Sequence, residues 1–269
     1  MSRTALFGQY WAGTSFVHKM DPRAKMLLSV AVMAVIFCAQ GWAGLAICAA
    51  FVLGFYAFSE IPLIQAAKSI APLLFLVILT ALLNVFFVQG GEIYFQWWVI
   101  CISEEGVTHA AFIACRLLLL LMSASLLTLT TTTLDITEAF ERLLSPFARI
   151  GFPAHELGMM MGIALRFLPQ FMDELGIVYR AQISRGATLS ANPFKGGANS
   201  LMSLIVPLFT SAFRHAETLS SAMDARCYHG SNGRTRLHQL AYGKKDAIGT
   251  LAVVLMLAVV IAANIFIGF

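Results

Sequence analysis

Charge is scarce in this chain. Only 12% of its 269 residues are Asp, Glu, Lys or Arg, against roughly 25% in an average soluble domain, while 59% are hydrophobic and the mean hydropathy is +0.78. That scarcity excludes an ordinary soluble domain and makes the chain an integral membrane protein. A GxxxxGK[ST] phosphate loop is lacking, so the chain is not expected to hydrolyse ATP itself. The six histidines form no HExxH or H-x3-H pair, and the five cysteines (Cys38, Cys48, Cys101, Cys115, Cys227) form no CxxC. Neither a zinc site nor a disulfide framework is expected. Most of these cysteines sit in apolar runs, where the thiol behaves as a small hydrophobe. Long Ser, Gln or Lys tracts are missing, so one compact unit without disordered regions is expected. The N-terminal segment as far as Lys25 carries Arg3, His18, Lys19 and Arg23 but no apolar core with a small-residue cleavage site. That argues against a cleaved signal peptide.

What is present is a series of apolar runs. Asp21-Pro22 starts a helix, Asp capping free N–H groups and Pro fitting the first turn. The run that follows, Met26 to Ser59, carries no charge. As one helix it would span roughly 50 Å, too long for a hydrocarbon core of about 30 Å. A break at Gln40-Gly41-Trp42-Ala43-Gly44 therefore yields two short crossings. Runs at Ile70–Val88, Val107–Leu129 and Ile248–Phe269 complete five. The basic residues give an independent check, because Lys and Arg accumulate on the cytoplasmic side. With the N-terminus inside, its basic cluster, Lys68 and the twelve Lys/Arg between Asp135 and Asp246 all lie inside, while the outer segments Gln40–Gly44, Gln89–Gly106 and the C-terminus contain none. Trp42, Tyr94, Trp97 and Trp98 then form an outer aromatic belt. Arg116 falls within the fourth crossing. Its two readings are a substrate contact or helix-packing anchor, and an arginine snorkelling to the outer interface.

From Asp135 to Lys245 charges of both signs return. The apolar pieces Leu157–Leu165 and Leu201–Phe213 are shorter than the ~17 residues of a spanning helix and are expected to lie against the membrane or beneath the bundle; the alternative, a re-entrant or extra crossing, has to come as a pair to preserve the charge topology. Three helices are predicted here. One runs from about Asp135, with Asp135-x-x-Glu138 as a capping box, to Arg149, closed by Gly151 and Pro153. The second begins near Ala154, bends at Pro169 and ends at Arg185-Gly186. The third runs from about Asn199, bends at Pro207 and ends around Arg226 to Gly230. Leu168, Phe171, Met172, Leu175, Val178 and Tyr179 make an amphipathic stripe on the second. On the third, Ala212, Ala216 and Ser220 recur every four residues and would let the two helices cross closely. Three segments follow: 1–134 with four crossings, 135–245 as a cytoplasmic helical domain, and 246–269 as a last crossing.

Two triplets stand out, Ser184-Arg185-Gly186 and Ala225-Arg226-Cys227, each at the end of a Pro-bearing helix. One arginine at a helix C-terminus is explained by the macrodipole, which favours it by roughly 0.3 to 1 kcal/mol. Two in helices of similar design suggest more. A guanidinium is permanently charged and grips carboxylate with two parallel hydrogen bonds, so a pair at helix tips suits two equivalent acidic grooves.

The chain resembles the transmembrane T component of energy-coupling factor transporters, the vitamin and metal-ion importers of prokaryotes. The residues that carry the resemblance are Gly8-Gln9-Tyr10, His18-Lys19-Met20-Asp21-Pro22-Arg23-Ala24-Lys25, Arg116 with Leu117–Leu121, Thr128–Thr133, Leu143-Leu144-Ser145-Pro146, Leu165-Arg166-Phe167-Leu168-Pro169, Ser184-Arg185-Gly186 and Ala222–Tyr228. The resemblance implies an all-α, L-shaped membrane protein whose cytoplasmic coupling helices cross as an X. It implies a non-enzymatic subunit in a prokaryotic cell membrane, whose partners are lipid, two ATPase subunits that bind the ATP and Mg, and a small S component that captures the substrate; nucleic acid is not among them. Arg185 and Arg226 would be the coupling arginines, with Ser184, Gly186, Ala225 and Cys227 beside them. Ser184 and Cys227 depart from the family's Ala-Arg-Gly pattern but stay small. The N-terminal segment and Asp224–Tyr228 look more like the shared module serving several vitamin S components than a dedicated cobalt or nickel version. Pro169 and Pro207 are candidate hinges, and the Leu168–Tyr179 stripe is the candidate S-component contact. The rival reading is a self-sufficient permease. It needs several polar groups facing a midplane cavity, and Arg116 and Asn84 are nearly the only candidates. An intramembrane enzyme would need paired catalytic groups at membrane depth, and the sequence offers none.

Overall fold

The computed structural model describes residues 10–88, 90, 93–97, 100–187, 197–230 and 241–267. Its helices are α1 (Pro22–Cys38), α2 (Trp42–Ser59), α3 (Leu63–Phe87), α4 (Glu104–Thr130), α5 (Thr133–Leu144), α6 (Ala154–Ser184), α7 (Gly197–Ala225) and α8 (Lys244–Ile267), with a short 3-10 turn at Ser145–Ile150. The chain divides into two compact units, one comprising Met1–Leu143 and Leu240–Phe269, the other Leu144–Gln239. Helix dominates, as the all-α class requires. A local addition is an antiparallel hairpin between α3 and α4, β1 (Ile93–Trp97) with β2 (Ile100–Ser103), pairing Ile93 with Ser103 and Trp97 with Ile100. The run Ile93-Tyr94-Phe95-Gln96-Trp97 is rich in β-branched and aromatic residues, which favour a pleated strand.

Four helices are long and apolar enough to cross a membrane, at Trp42–Ser59, Ile64–Phe87, Glu104–Thr130 and Lys244–Phe266. The sequence predicts five. The difference is α1, whose 17 residues make a rod of only about 25 Å. The break that shortens it falls in the predicted place, with Ala39 capping α1 in extended backbone and α2 starting at Trp42. The apolar pieces at 157–165 and 201–213 lie in α6 and α7, neither of which is among the four.

The core of the first unit lies among α1, α2, α4 and α8, around Ile36, Cys48, Val52, Tyr56, Leu129, Met256 and Val260. Tyr56 joins α2 to α4: its hydroxyl donates to the Met122 carbonyl at 2.9 Å and lies 2.7 Å from Ser125 Oγ. Helix α3 packs on α4 and turns Phe75, Ile78 and Phe87 outward, 73%, 65% and 81% exposed. Apolar surface of that extent belongs against lipid.

A polar clasp closes one end of this unit. Asp21 caps α1, accepting from the Arg23 N–H at 2.9 Å and from the Arg23 guanidinium at 2.9 Å. The Asp21 N–H in turn donates to Asp246 at the start of α8, 2.8 Å away. Lys25 is buried, and its Nζ donates to the carbonyls of His18 and Thr130, both at 3.0 Å. Thr130 is the last residue of α4, so the cation satisfies a carbonyl that the helix leaves open.

Arg116 has a comparable role at the far end of α1. Its guanidinium donates to the Ala39 carbonyl at the α1 C-cap and stacks over Phe112 at 4.6 Å, while Phe112 meets Trp42 edge-on. Asn264 of α8 donates to the adjacent Cys38 carbonyl and accepts from the Gln40 N–H. Of the readings open in sequence, the structure supports helix-packing anchor. Trp98, Gly8 and Gln9 lie outside the described residues, as do the side chains of Tyr94 and Trp97.

Candidate functional site: the two arginine helix ends

The second unit is built on α6 and α7, which contact each other at three levels. Near the start of α6, His155 and Met159 meet the Tyr228 hydroxyl at 3.4 and 3.0 Å. In the middle, Glu174 meets Ser211 and His215; near its end, Gln182 donates to the Ser203 carbonyl at 3.2 Å. Residue numbers rise on one helix as they fall on the other, so the pair is antiparallel. Both prolines lie inside continuous helix. Each removes one i to i−4 hydrogen bond, and the carbonyl that Pro207 would leave open, that of Ser203, is the one Gln182 takes up.

The two triplets terminate these helices in the same way. Arg185 caps α6; Gly186 follows in the left-handed region at φ 84, its N–H bonded to the Ile183 carbonyl, and the Ala187 N–H reaches the Gln182 carbonyl. After α7, Cys227 takes the left-handed position at φ 53, its N–H bonded to the Asp224 carbonyl, and the Tyr228 N–H reaches the Met223 carbonyl. Both are Schellman motifs, the 6-to-1 and 5-to-2 pair of bonds that satisfies the last open carbonyls of a helix. The similarity of the letters is thus a similarity of backbone. Ser184, Arg185, Gly186, Ala225, Arg226 and Cys227 are all exposed, and among the described residues no ion pair engages either guanidinium. Because the helices are antiparallel, these ends lie at opposite ends of the pair: Arg226 sits near the level of Met159, and Arg185 lies roughly 40 Å further along α6 at 1.5 Å per residue.

The motif makes a test of Cys227 direct. Glycine occupies a left-handed position without steric cost, whereas other L-residues lose about 1 kcal/mol there. Cys227→Gly is expected to stabilise the end of α7 by about that amount, and Gly186→Val to fray the end of α6 by at least as much, read by amide exchange of the last helical turns. An unchanged exchange rate in both variants would show that backbone conformation does not set these ends.

At mid-length a polar knot holds the pair together. Glu174 Oε1 lies 2.6 Å from His215 Nε2, Ser211 Oγ donates to Glu174 Oε2 at 2.8 Å, and Phe167 stacks on the His215 ring at 5.9 Å. The hydrogen bond from His215, then that from Ser211, holds the Glu174 carboxyl below its ordinary range. A depressed carboxyl contributes stability that is present above its unfolded pKa of about 4.3 and is lost as pH falls through the folded value. Spin labels on α6 and α7 are therefore expected to show the pair loosening as pH falls below about 4.3, and Glu174→Gln to flatten the change. Identical profiles for both chains would remove Glu174 from the explanation.

The packing face of α7 is not the small-residue stripe. Ser211, His215, Leu219 and Met223 are partly buried, and of the stripe only Ala212 is, whereas Ala216 and Ser220 are exposed. A face one residue to the side wins because it supplies both the partners of Glu174 and apolar bulk. The α6 stripe is split as well: Phe171, Leu175 and Val178 are partly buried, while Leu168, Met172 and Tyr179 are exposed. Beside the second arginine, Met159, Ile163, Leu219, Met223 and Arg226 line an open pocket of about 500 Å³. Among the described residues no group of three His, Cys, Asp or Glu could hold a metal ion.

Residues 13–237 match the model of a family described as cobalt transport protein, CbiQ. The chain belongs to this family. Its relatives there include the energy-coupling factor transporter transmembrane protein EcfT of Brevibacillus brevis, 42% identical over 97% of this chain and 98% of the relative. The protein of the same name from Clostridium kluyveri is 40% identical over the full length of both, and that of Bacillus subtilis 35% identical over 96% and 97%. Family membership and four candidate spans together make the chain a membrane component of a transport system.

Three features of the site leave little trace in the letters. The Gln182–Ser203 contact carries no motif, although a proline four residues after a polar residue is a signal for an open carbonyl. The antiparallel order of α6 and α7 rests on contacts between distant residues. The cap of α5 lies three positions before the predicted one: Thr132 accepts from the Asp135 N–H and donates to its carboxylate, so the box is Thr132/Asp135 rather than Asp135/Glu138. That helix also ends at Leu144, short of the predicted Arg149, and gives way to 3-10 turn at Pro146.

Proposed function

We propose that this chain is the energy-coupling subunit of an ATP-driven importer of vitamins or similar micronutrients, and that it carries motion rather than substrate. Arg185 and Arg226, each on a Schellman-capped helix end, dock into acidic grooves on two ATPase subunits, which bind the ATP and Mg. The crossed pair α6–α7 transmits their closure, with Pro169 and Pro207 as hinge points, to a substrate-binding S component resting on Leu168, Met172 and Tyr179. The N-terminus and the arginine ends lie in the cytoplasm, α1 adds a fifth short crossing, and the C-terminus lies outside.

The observation that carries this reading is the pair of identically built, exposed arginine ends, in a chain whose relatives are named as transmembrane proteins of energy-coupling factor transporters. The permease alternative loses its candidates, since Arg116 donates to Ala39 and Asn84 donates to the Thr80 carbonyl of its own helix. The discriminating experiment is flux into vesicles. The chain alone is expected to move no solute, and uptake to appear only when ATPases and an S component are co-reconstituted. Uptake by the chain alone would establish the permease.

A further inference from the structure

A second cavity lies in the first unit. Its volume is about 500 Å³, within the range of small-molecule sites, and none of its lining residues carries a polar side chain. Phe51, Phe55 and Phe58 of α2 line it together with Ile248 and Ala252 of α8 and Met20 of the turn before α1. Small residues make the space. A side chain started at Gly54 would meet nothing within 4 Å, so its backbone faces the opening. From Ala50 to Phe58 the slot follows α2 for about 12 Å at 1.5 Å per residue.

Its mouth is basic. Lys244 and Lys245 occupy the first turn of α8, immediately before Ile248. The turn carrying Lys19 is seated on that helix start, since Met20 packs against Gly249 and the Asp21 N–H donates to Asp246. Lys19 and Lys244 are exposed, and Lys245 is partly so. The carboxylates close by are largely committed: Asp21 to Arg23, and Asp246 to the N–H groups of Asp21 and Gly243. Exposed Glu60, just after α2, opposes the three lysines with one charge. A wholly apolar slot in a membrane helix bundle, with net positive charge near one end, has the chemistry of a fatty chain joined to a phosphate.

We propose that this slot holds an acyl chain of an anionic phospholipid, with Lys19, Lys244 and Lys245 on its phosphate. Such a lipid would pin the Met20 turn between α2 and α8. Free phosphate has no use for the apolar slot, and a zwitterionic lipid gains less from the lysines.

The test reconstitutes the full chain in phosphatidylcholine vesicles doped with either phosphatidylglycerol or phosphatidylcholine bearing a mid-chain diazirine, and maps photolabelled peptides by mass spectrometry. Phosphatidylglycerol is expected to label the peptides of Phe55–Phe58 and Ile248–Ala252 about tenfold more than phosphatidylcholine. Replacing Lys19, Lys244 and Lys245 with Ala should bring it down to the phosphatidylcholine level. Gly54→Leu should remove labelling here with either probe and leave Ile78 on the outer face of α3 labelled as before. Equal labelling by both probes, or a preference that survives loss of the lysines, overturns the proposal. So does loss of labelling once transporter partners are added, which would make the slot a protein-docking surface. If the Gly54 variant does not fold, the lysine variant decides alone.

Discussion

Uptake driven by ATP is expected to fall at least 30-fold when Arg185 and Arg226 are both replaced by alanine. The estimate follows from the cost of removing one partner of a buried, hydrogen-bonded charge pair, typically about 2 to 5 kcal/mol, at tenfold per 1.4 kcal/mol. Both side chains are exposed in the chain by itself, so the substitution should leave its folding and membrane insertion unchanged. Loss of ATPases on co-purification would mean that the arginines hold the complex together; retained ATPases with undiminished hydrolysis would mean that they transmit force. Each single variant should be partly impaired. Arg→Lys at either position should recover only part of the loss, because lysine keeps the charge but not the bidentate fork. Normal uptake by the double variant would end the coupling reading.

The second large effect concerns stability. Lys25→Met keeps the length of the side chain but leaves the carbonyls of His18 and Thr130 without their donor, and Lys25 is buried. An unsatisfied buried polar group costs about 1 to 3 kcal/mol, so two make a loss of roughly 2 to 6 kcal/mol. The thermal midpoint of the detergent-solubilised chain should fall well below that of Lys68→Met, at an exposed lysine whose loss should stay within about 0.5 kcal/mol. Equal midpoints for the two variants would show that the clasp contributes nothing to the fold.

How far the sequence reaches depends on the range of the interaction. The starts and ends of α6 and α7 are legible because Pro153, Gly186 and the arginines act within one turn of where they stand. The same holds for Asp21-Pro22 and for the break after Cys38. What is illegible depends on another part of the chain. Arg116 looks like a stray charge in an oily helix until Ala39, 77 positions away, supplies its carbonyl. The inward face of α7 lies one residue from the small-residue stripe because Glu174, on the other helix, decides which side turns inward. The hairpin after α3 is hidden for a different reason: the absence of basic residues there bears on topology and says nothing of the backbone conformation.

The antiparallel order of α6 and α7 makes the pair a ruler. Arg185 and Arg226 are 41 positions apart in sequence, yet that separation does not set their distance in space, because α6 and α7 run antiparallel. What sets it is the length of paired helix between Met159 and Arg185. Each turn added to or removed from both helices shifts the span by about 5.4 Å while leaving either end chemically intact. Chains that engage equally spaced grooves would then be free to diverge in the segment between the helices, but not in how many turns the helices share.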